Sequence, residues 1–333
     1  MFYTIRTFRL IVLSSAACIA APALADHSGP VGGITTGGGI NTISARTLEQ
    51  GQAAAGVRLS INRPDQLSET ELLARDSAGV DAHNNRDAEN AAIAIAYGLT
   101  HELTISAELS YVRRGNIRAV ENDAVENRGT TSGVGDLTVL AKYKIAEGET
   151  WAVAVIGGLK LPTGSSQQLD RTGERFETEH QPGTGSWDPI AGIVASFNLG
   201  ANAIDASWIY QKASSGAQVT RLGDRSQAGI AFSHRFGKNE AHHHGSDEDH
   251  HERHTTVDAI MELNGEWEGR ERVGAVVDQF SGGLVLWLSP GIRFNAASGW
   301  SFAGSLGLPI TQDIRPAHPD NSYRFSLSLG RSF

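Results

Sequence analysis

The sequence holds one cysteine, Cys18, and it falls in an amino-terminal stretch that reads as an export leader. Arg6 and Arg9 precede an apolar run from Leu10 to Ala21, and Ala23-Leu24-Ala25 supplies a small-x-small cleavage pattern. Cleavage there starts the mature chain near Asp26 and leaves it without a thiol, which excludes disulfides and thiolate metal sites in an oxidising compartment. Ser15-Ala16-Ala17 precedes Cys18, so the leucine that marks a lipidated cysteine is missing, and simple cleavage is expected.

Basic residues are also scarce. There are 28 against 37 acidic ones, and removal of Arg6 and Arg9 brings the net charge from -9 to about -11, which excludes nucleic acid as a partner. Beyond the leader no run of about 18 apolar residues occurs, so a helical membrane span is excluded. A span built of strands is not excluded, because its alternation gives only a weak hydropathy signal.

What the chain does contain is glycine, 38 residues of it, and a period of two. The closing stretch, Tyr323-Arg-Phe-Ser-Leu-Ser-Leu-Gly-Arg-Ser-Phe333, places apolar side chains on one face and polar ones on the other. Eleven earlier segments repeat this, the clearest being Leu103, Ile105, Ala107, Leu109 and Tyr111 alternating with Thr104, Ser106, Glu108 and Ser110. Each is about as long as the 9 to 11 residues that a tilted strand needs to cross a bilayer.

The connections alternate as well: short near 98 to 101, 146 to 150, 198 to 202 and 295 to 299, longer near 62 to 87, 114 to 132, 162 to 186, 212 to 224, 268 to 281 and 311 to 322. Even strand number, short turns at one end and long loops at the other describe an outer-membrane barrel. Tyr97, Tyr111, Trp151, Trp187, Tyr210, Trp267, Trp300, Tyr323 and Phe333 lie at strand ends, where they fit two interfacial girdles.

The expected fold is therefore all-β, an antiparallel up-and-down transmembrane barrel of about 12 strands. Residues 1–25 form the signal peptide, 26–50 a Gly-rich periplasmic segment, and 51–333 the barrel, with outer-membrane lipid around it. On the polar face, Glu102, Glu108, Asp136, Lys142, Lys144, Lys160, Asp205, Arg225, Arg235, Asp258, Glu262, Arg293 and Arg324 are candidates to line the lumen. Rows of both signs fit a narrow pore that orients a small solute or ion, and equally an ion-paired, closed interior.

One connection breaks the alternation. Residues 238–256 are long where a short turn is expected, and they carry His242, His243, His244, His250, His251 and His254, half of the 12 histidines. Imidazoles among carboxylates suit Zn, Cu or Ni, and a His-rich tract binds such ions without a prefolded cage. His251-Glu-Arg-His254 is one residue short of the His-Glu-x-x-His protease helix, and a solvated spacer carries the same composition.

No Gly-x-Ser-x-Gly elbow, phosphate loop or paired-cysteine pattern is present, and no catalytic residue is nominated. Several stretches, residues 62–73 (NRPDQLSETELL), 133–145 (GVGDLTVLAKYKI), 159–166 (LKLPTGSS), 183–193 (GTGSWDPIAGI) and the terminal strand, together resemble the outer-membrane MetA-pathway of phenol degradation family, often labelled simply transporter. The resemblance implies an outer-membrane barrel that passes small molecules, with hydrophobic or aromatic compounds as the suggested class, and its terminal aromatic implies recognition by the barrel assembly machinery. Three readings follow: a solute channel needing no cofactor, a metal-handling barrel using the His tract, and a closed structural barrel.

Overall fold

The computed structural model describes residues 38–237 and 255–333, so the leader and nearly all of the His-rich connection, with its six candidate metal ligands, lie outside the described residues. Twelve long strands follow one another around a closed antiparallel barrel. They are β1 (Ala53–Pro64), β2 (Asp87–Gly98), β3 (Leu103–Glu121), β4 (Ala124–Glu147), β5 (Trp151–Leu161) and β6 (Asp188–Leu199). The second half comprises β7 (Asn202–Gln211), β8 (Arg225–Phe236), β9 (Thr256–Glu268), β10 (Gly283–Asn295), β11 (Trp300–Ile314) and β12 (Asn321–Ser332).

The ring closes where β1 pairs with β12, in a register running from Ala54 opposite Ser332 through Val57 opposite Leu329 to Arg63 opposite Tyr323. Closure satisfies the backbone of every strand from its neighbours, which is the condition for crossing lipid without a helix. No helix among the described residues is long and apolar enough to do so.

The outside is the apolar side. Ile93, Ile95, Ile193, Ile230, Phe232, Ile292, Phe302 and Leu308 are all exposed large hydrophobics at strand positions, the inverse of a soluble domain. Inward positions carry Thr104, Asp136, Lys142, Lys160, Asp205, Glu262, Ser289 and Arg293, all buried. The period of two read from the sequence is thus the inside-outside alternation of the wall.

The connections at one end are short wherever they are fully described, between β2 and β3, β4 and β5, β6 and β7, and β10 and β11. Those at the other build a cap, and it holds more structure than loops. The 114–132 stretch, expected as a connection, instead continues β3 and β4 as a hairpin turned at Asn122 (φ 50°) and Asp123 (φ 61°). Two consecutive positive φ values define the turn that matches strand twist, and Asn and Asp tolerate it best after glycine.

The β1–β2 connection carries a helix, α1 (Glu69–Ser77), opened by a capping box in which Ser68 and Glu71 each satisfy the other's backbone N–H. Leu72 of α1 is fully buried with Leu67, Val80 and Ala82, against Val120 and Val125 of the hairpin and Phe280. Two-residue strands at Thr220–Arg221, Arg272–Val273 and Val276–Val277 add a small sheet.

Candidate functional site

The barrel is filled by its own chain. Residues 38–48, in the segment expected to hang below the barrel, run through the lumen, and this departure from the sequence reading has a physical cause on both sides of the contact. The Glu262 carboxylate on β9 accepts the backbone N–H of Asn41 (3.0 and 3.1 Å) and of Thr42 (2.9 Å), and the Asn41 amide at 2.8 Å. Two successive N–H groups converging on one carboxylate make a local anion nest.

Opposite charge works on the carbonyls. The Arg293 guanidinium donates to Gly38 O (2.6 Å) and Gly39 O (2.8 Å), and Lys142 Nζ donates to Ser44 O (3.0 Å). Further along, Ala45 N donates to Ser196 Oγ and Leu48 N to Thr104 Oγ1, each at 2.8 Å.

Apolar contacts complete the fit. Ile43 and Ala45 pack on an inward patch of Leu140, Ala154, Ile156, Ile190, Val194 and Ile209, Ile40 packs on Ile260 and Ala303, and Leu48 on Ala54 and Ala96. Burying one isoleucine side chain is worth about 1.5–3 kcal/mol. Space is provided by glycine: a Cβ on Gly39 would stand 2.2 Å from Glu262 Oε1, and one on the wall residue Gly229 would stand 2.7 Å from Thr42 Oγ1.

Among the described residues, two polar cavities flank the segment. One lies on the long-loop side of the segment, lined by Asn41, Arg58, Ser60, Asn264, Glu266 and Arg324 among others. There Arg58 donates to Asn41 Oδ1, Arg324 pairs with Glu266, and Arg324 also stacks 4.5 Å over the ring of Trp287, a wholly buried inward tryptophan whose Nε1 donates to Glu266 Oε2 at 3.0 Å.

The other cavity, nearer the cap, is lined by Asn90, Glu108, Asp136, Lys160, Asp188 and Arg225 with Pro182 and Thr184 of the β5–β6 connection. Lys160 Nζ bridges Asp136 (2.7 Å) and Asp188 (3.0 Å), and Asp136 in turn holds the backbone of Gly164 and Thr184, both at 3.0 Å.

Of the sequence-nominated lumen residues, Glu108, Asp136, Lys142, Lys160, Asp205, Arg225, Glu262, Arg293 and Arg324 reach these cavities or the segment, or pair beside them: Arg225 with Glu268 at 3.4 Å, Asp205 with Ser196. Asp258 and Arg235 form a bidentate pair at the short-turn end (2.8 and 3.2 Å), with Arg235 partly exposed. Lys144 pairs with Glu147 at 2.6 Å beside that rim.

Glu102 is a correction: it sits exposed in the turn before β3, where its carboxylate accepts Thr100 Oγ1 at 2.9 Å, because the strand begins one residue later. Arg58 is an inward charge outside the nominated set, and the same face carries the apolar patch under Ile43. Its signal was present: Leu140, Ile156, Ile190, Val194, Ile209 and Ile260 are apolar residues on the face otherwise given to water, and they need a cover.

A second cluster sits in the cap, where His83 from the β1–β2 connection meets Glu177, Glu179 and His180 from the β5–β6 connection. His83 Nδ1 is 3.3 Å and His180 Nε2 3.5 Å from Glu179 Oε1, while His83 Nε2 lies 3.2 Å from Glu177 and 3.3 Å from Asp81. His318 of the β11–β12 connection stands 3.5 Å from Glu179 Oε2.

Burial opposes charge on both central histidines. At His83 the Glu177, Glu179 and Asp81 carboxylates outweigh it and raise the pKa to about 10; at His180 burial prevails over Glu179 and lowers it to about 3. Glu179 is held below the usual carboxylate range, because His318, His180 and His83 overcome its burial.

A transmembrane barrel whose bore is occupied by its own amino-terminal segment is the class these features define. The chain belongs to the family described as "Putative MetA-pathway of phenol degradation", whose model matches residues 75–241, half of its length. That match takes in 133–145, 159–166 and 183–193, which include Asp136 and its partners in the β5–β6 connection.

Among solved structures, the COG4313 outer membrane channel from Pseudomonas putida F1 is similar at a TM-score of 0.59 and 17% identity, over 87% of this chain and 98% of that one. The beta domain of the Bordetella autotransporter Brka (TM-score 0.48, 10% identity, 86% and 100% covered) and the CymD monoaromatic hydrocarbon channel (0.40, 9%, 86% and 89%) are more distant barrels. No curated protein matches the chain.

Proposed function

We propose that the protein is a gated channel of the outer membrane that passes a small solute, and that residues 38–48 are its gate. The observation that carries this reading is the Glu262 clasp on Asn41 and Thr42, a set of four charge-assisted hydrogen bonds holding a peptide across the bore. Polar contacts of this kind exchange readily with water and solute groups, so the segment is bound firmly enough to close the bore and remains displaceable.

The membership of the family and the channel with a TM-score of 0.59 support transport through a barrel of this build. Small aromatic compounds are the solute class that the family description suggests. A phenol offers a hydroxyl to the Arg58, Glu266 and Arg324 groups that line the cavity beside the gate. No catalytic role is assigned to any residue.

The test is single-channel recording in planar bilayers of the refolded mature protein against Ile43→Asp, which puts a charge into the apolar patch under the segment. Small or rare steps that become large and frequent in the variant are expected. Equal conductance in the two, with insertion verified, would show that the segment does not gate.

A further inference from the structure

We propose that His83, Glu179 and His180, with Glu177 beside them, form a binding site for a zinc-class divalent cation that ties the outer loops together over the mouth of the barrel. The site is in the cap, apart from the His-rich connection, and it stands whether or not the barrel conducts.

The argument begins with two nitrogen atoms. His83 Nδ1 and His180 Nε2 are buried and have no hydrogen-bond partner, in residues only 9% and 7% exposed. Both face the same oxygen, Glu179 Oε1, at 3.3 and 3.5 Å, with their rings edge to face at 4.8 Å between centroids.

Two buried imidazole nitrogens held against one carboxylate oxygen without a well-formed hydrogen bond are seldom kept without a purpose, and a divalent cation there would take the place of the His83 proton. Ligand atoms at about 2.1 Å from a tetrahedral ion stand about 3.4 Å from one another. The two observed separations fit that spacing, and Glu177 stands in the same group of possible ligand residues.

The surroundings also suit a cation. With Nδ1 on the ion, the Nε2–H of His83 faces Glu177 and Asp81, the carboxylate support that orients a ligating imidazole. His318 holds the far oxygen of Glu179. Two imidazoles with carboxylates and no thiolate select Zn, Ni, Co or Cu over Mg and Ca, which prefer oxygen alone. The ligands come from the β1–β2 and β5–β6 connections, and His318 adds the β11–β12 connection, so one ion joins segments far apart in sequence.

The experiment is titration of the refolded barrel with Zn(II) and with Co(II), followed by calorimetry and visible absorption, in a variant lacking residues 240–254 so that the His-rich connection contributes nothing. One equivalent of Zn(II) is expected, with intense Co(II) bands of low coordination number that excess Ca(II) leaves unchanged. His180→Ala and the near-isosteric Glu179→Gln should each weaken binding by at least tenfold. Zn(II) should also slow proteolysis of the cap, and that protection should vanish in both substituted proteins.

Zero equivalents in the barrel lacking 240–254 would overturn the proposal. So would binding that His180→Ala and Glu179→Gln leave unaltered. Because the stoichiometry is read on a protein whose cap is unsubstituted, loosening of the cap by a substitution does not blur the result.

Discussion

Lys160 Nζ lies 2.7 Å from Asp136 Oδ2, on the neighbouring strand and within the wall of the barrel. Asp136 belongs to the 133–145 stretch that carries the family resemblance, and its two oxygens also hold Gly164 N, Thr184 N and the Thr184 hydroxyl. The pair therefore does more than neutralise charge: it pins the β5–β6 connection inward at the mouth. Asp136→Asn should destabilise by about 3 kcal/mol, the low end for breaking a buried ion pair, because Asp188 remains on Lys160 at 3.0 Å. Limited proteolysis should find the 162–187 connection cut faster while the strands stay protected.

A larger side chain at Gly229 must compete with the segment for one place. Its Cβ would already stand 2.7 Å from Thr42 Oγ1 and from Asn264 Nδ2, so Gly229→Leu should expel residues 38–48 without breaking the β8 ladder. Bilayer recordings should show a higher conductance than the parent, with a barrel of unchanged heat resistance.

The outer face predicts its own intolerance. Ile230 sits mid-strand on β8 and is 55% exposed, which in a bilayer means contact with acyl chains. Ile230→Arg should cost about 2–4 kcal/mol in lipid vesicles, measured by denaturant unfolding. Ala231→Ser, the next residue but inward, should cost less than a third of that.

The cap has an alkaline weakness. Burial, reinforced by Glu179, Glu177, Glu268 and Asp278, raises the Glu271 carboxyl to about 9, from 4.5 in the free side chain. The folded cap then holds a proton that the unfolded one releases, so its stability is full below about pH 4.5 and declines as pH rises towards about 9. Cap proteolysis should accelerate across that window and level off above it. Glu271→Gln should flatten the dependence; an unchanged slope would place its origin elsewhere.

The wall was legible in the sequence because its rule is local. Leu103 to Tyr111 and Tyr323 to Phe333 state the period of two within nine and eleven residues, and lipid outside holds the strand to it. The filling was legible only in part. Glu262 and Arg293 are visible as inward charges, but their partners are backbone groups of Gly38, Gly39, Asn41 and Thr42, and backbone has no sequence signature.

The cap cluster was invisible for a different reason. His83 and His180 lie almost a hundred residues apart, in connections whose composition resembles any polar loop, and only the closing of the ring brings them together. The capping box at Ser68 and Glu71 is the converse case, a local signal that sequence can state and that a strand-by-strand reading passed over.

The seam between β1 and β12 sets the order of assembly. Every other pairing in the ring joins strands adjacent in the chain, whereas Val57 meets Leu329 across nearly the whole of the described sequence. Joining such distant partners carries the largest loop-closure entropy of any step, so the hairpins zip first and the seam forms last. Until it does, β1 and β12 each offer an open row of N–H and C=O groups to any strand that can pair with them. The segment that fills the bore leads directly into β1, so the sheet curls up around a peptide already at its edge, and closing the seam encloses it.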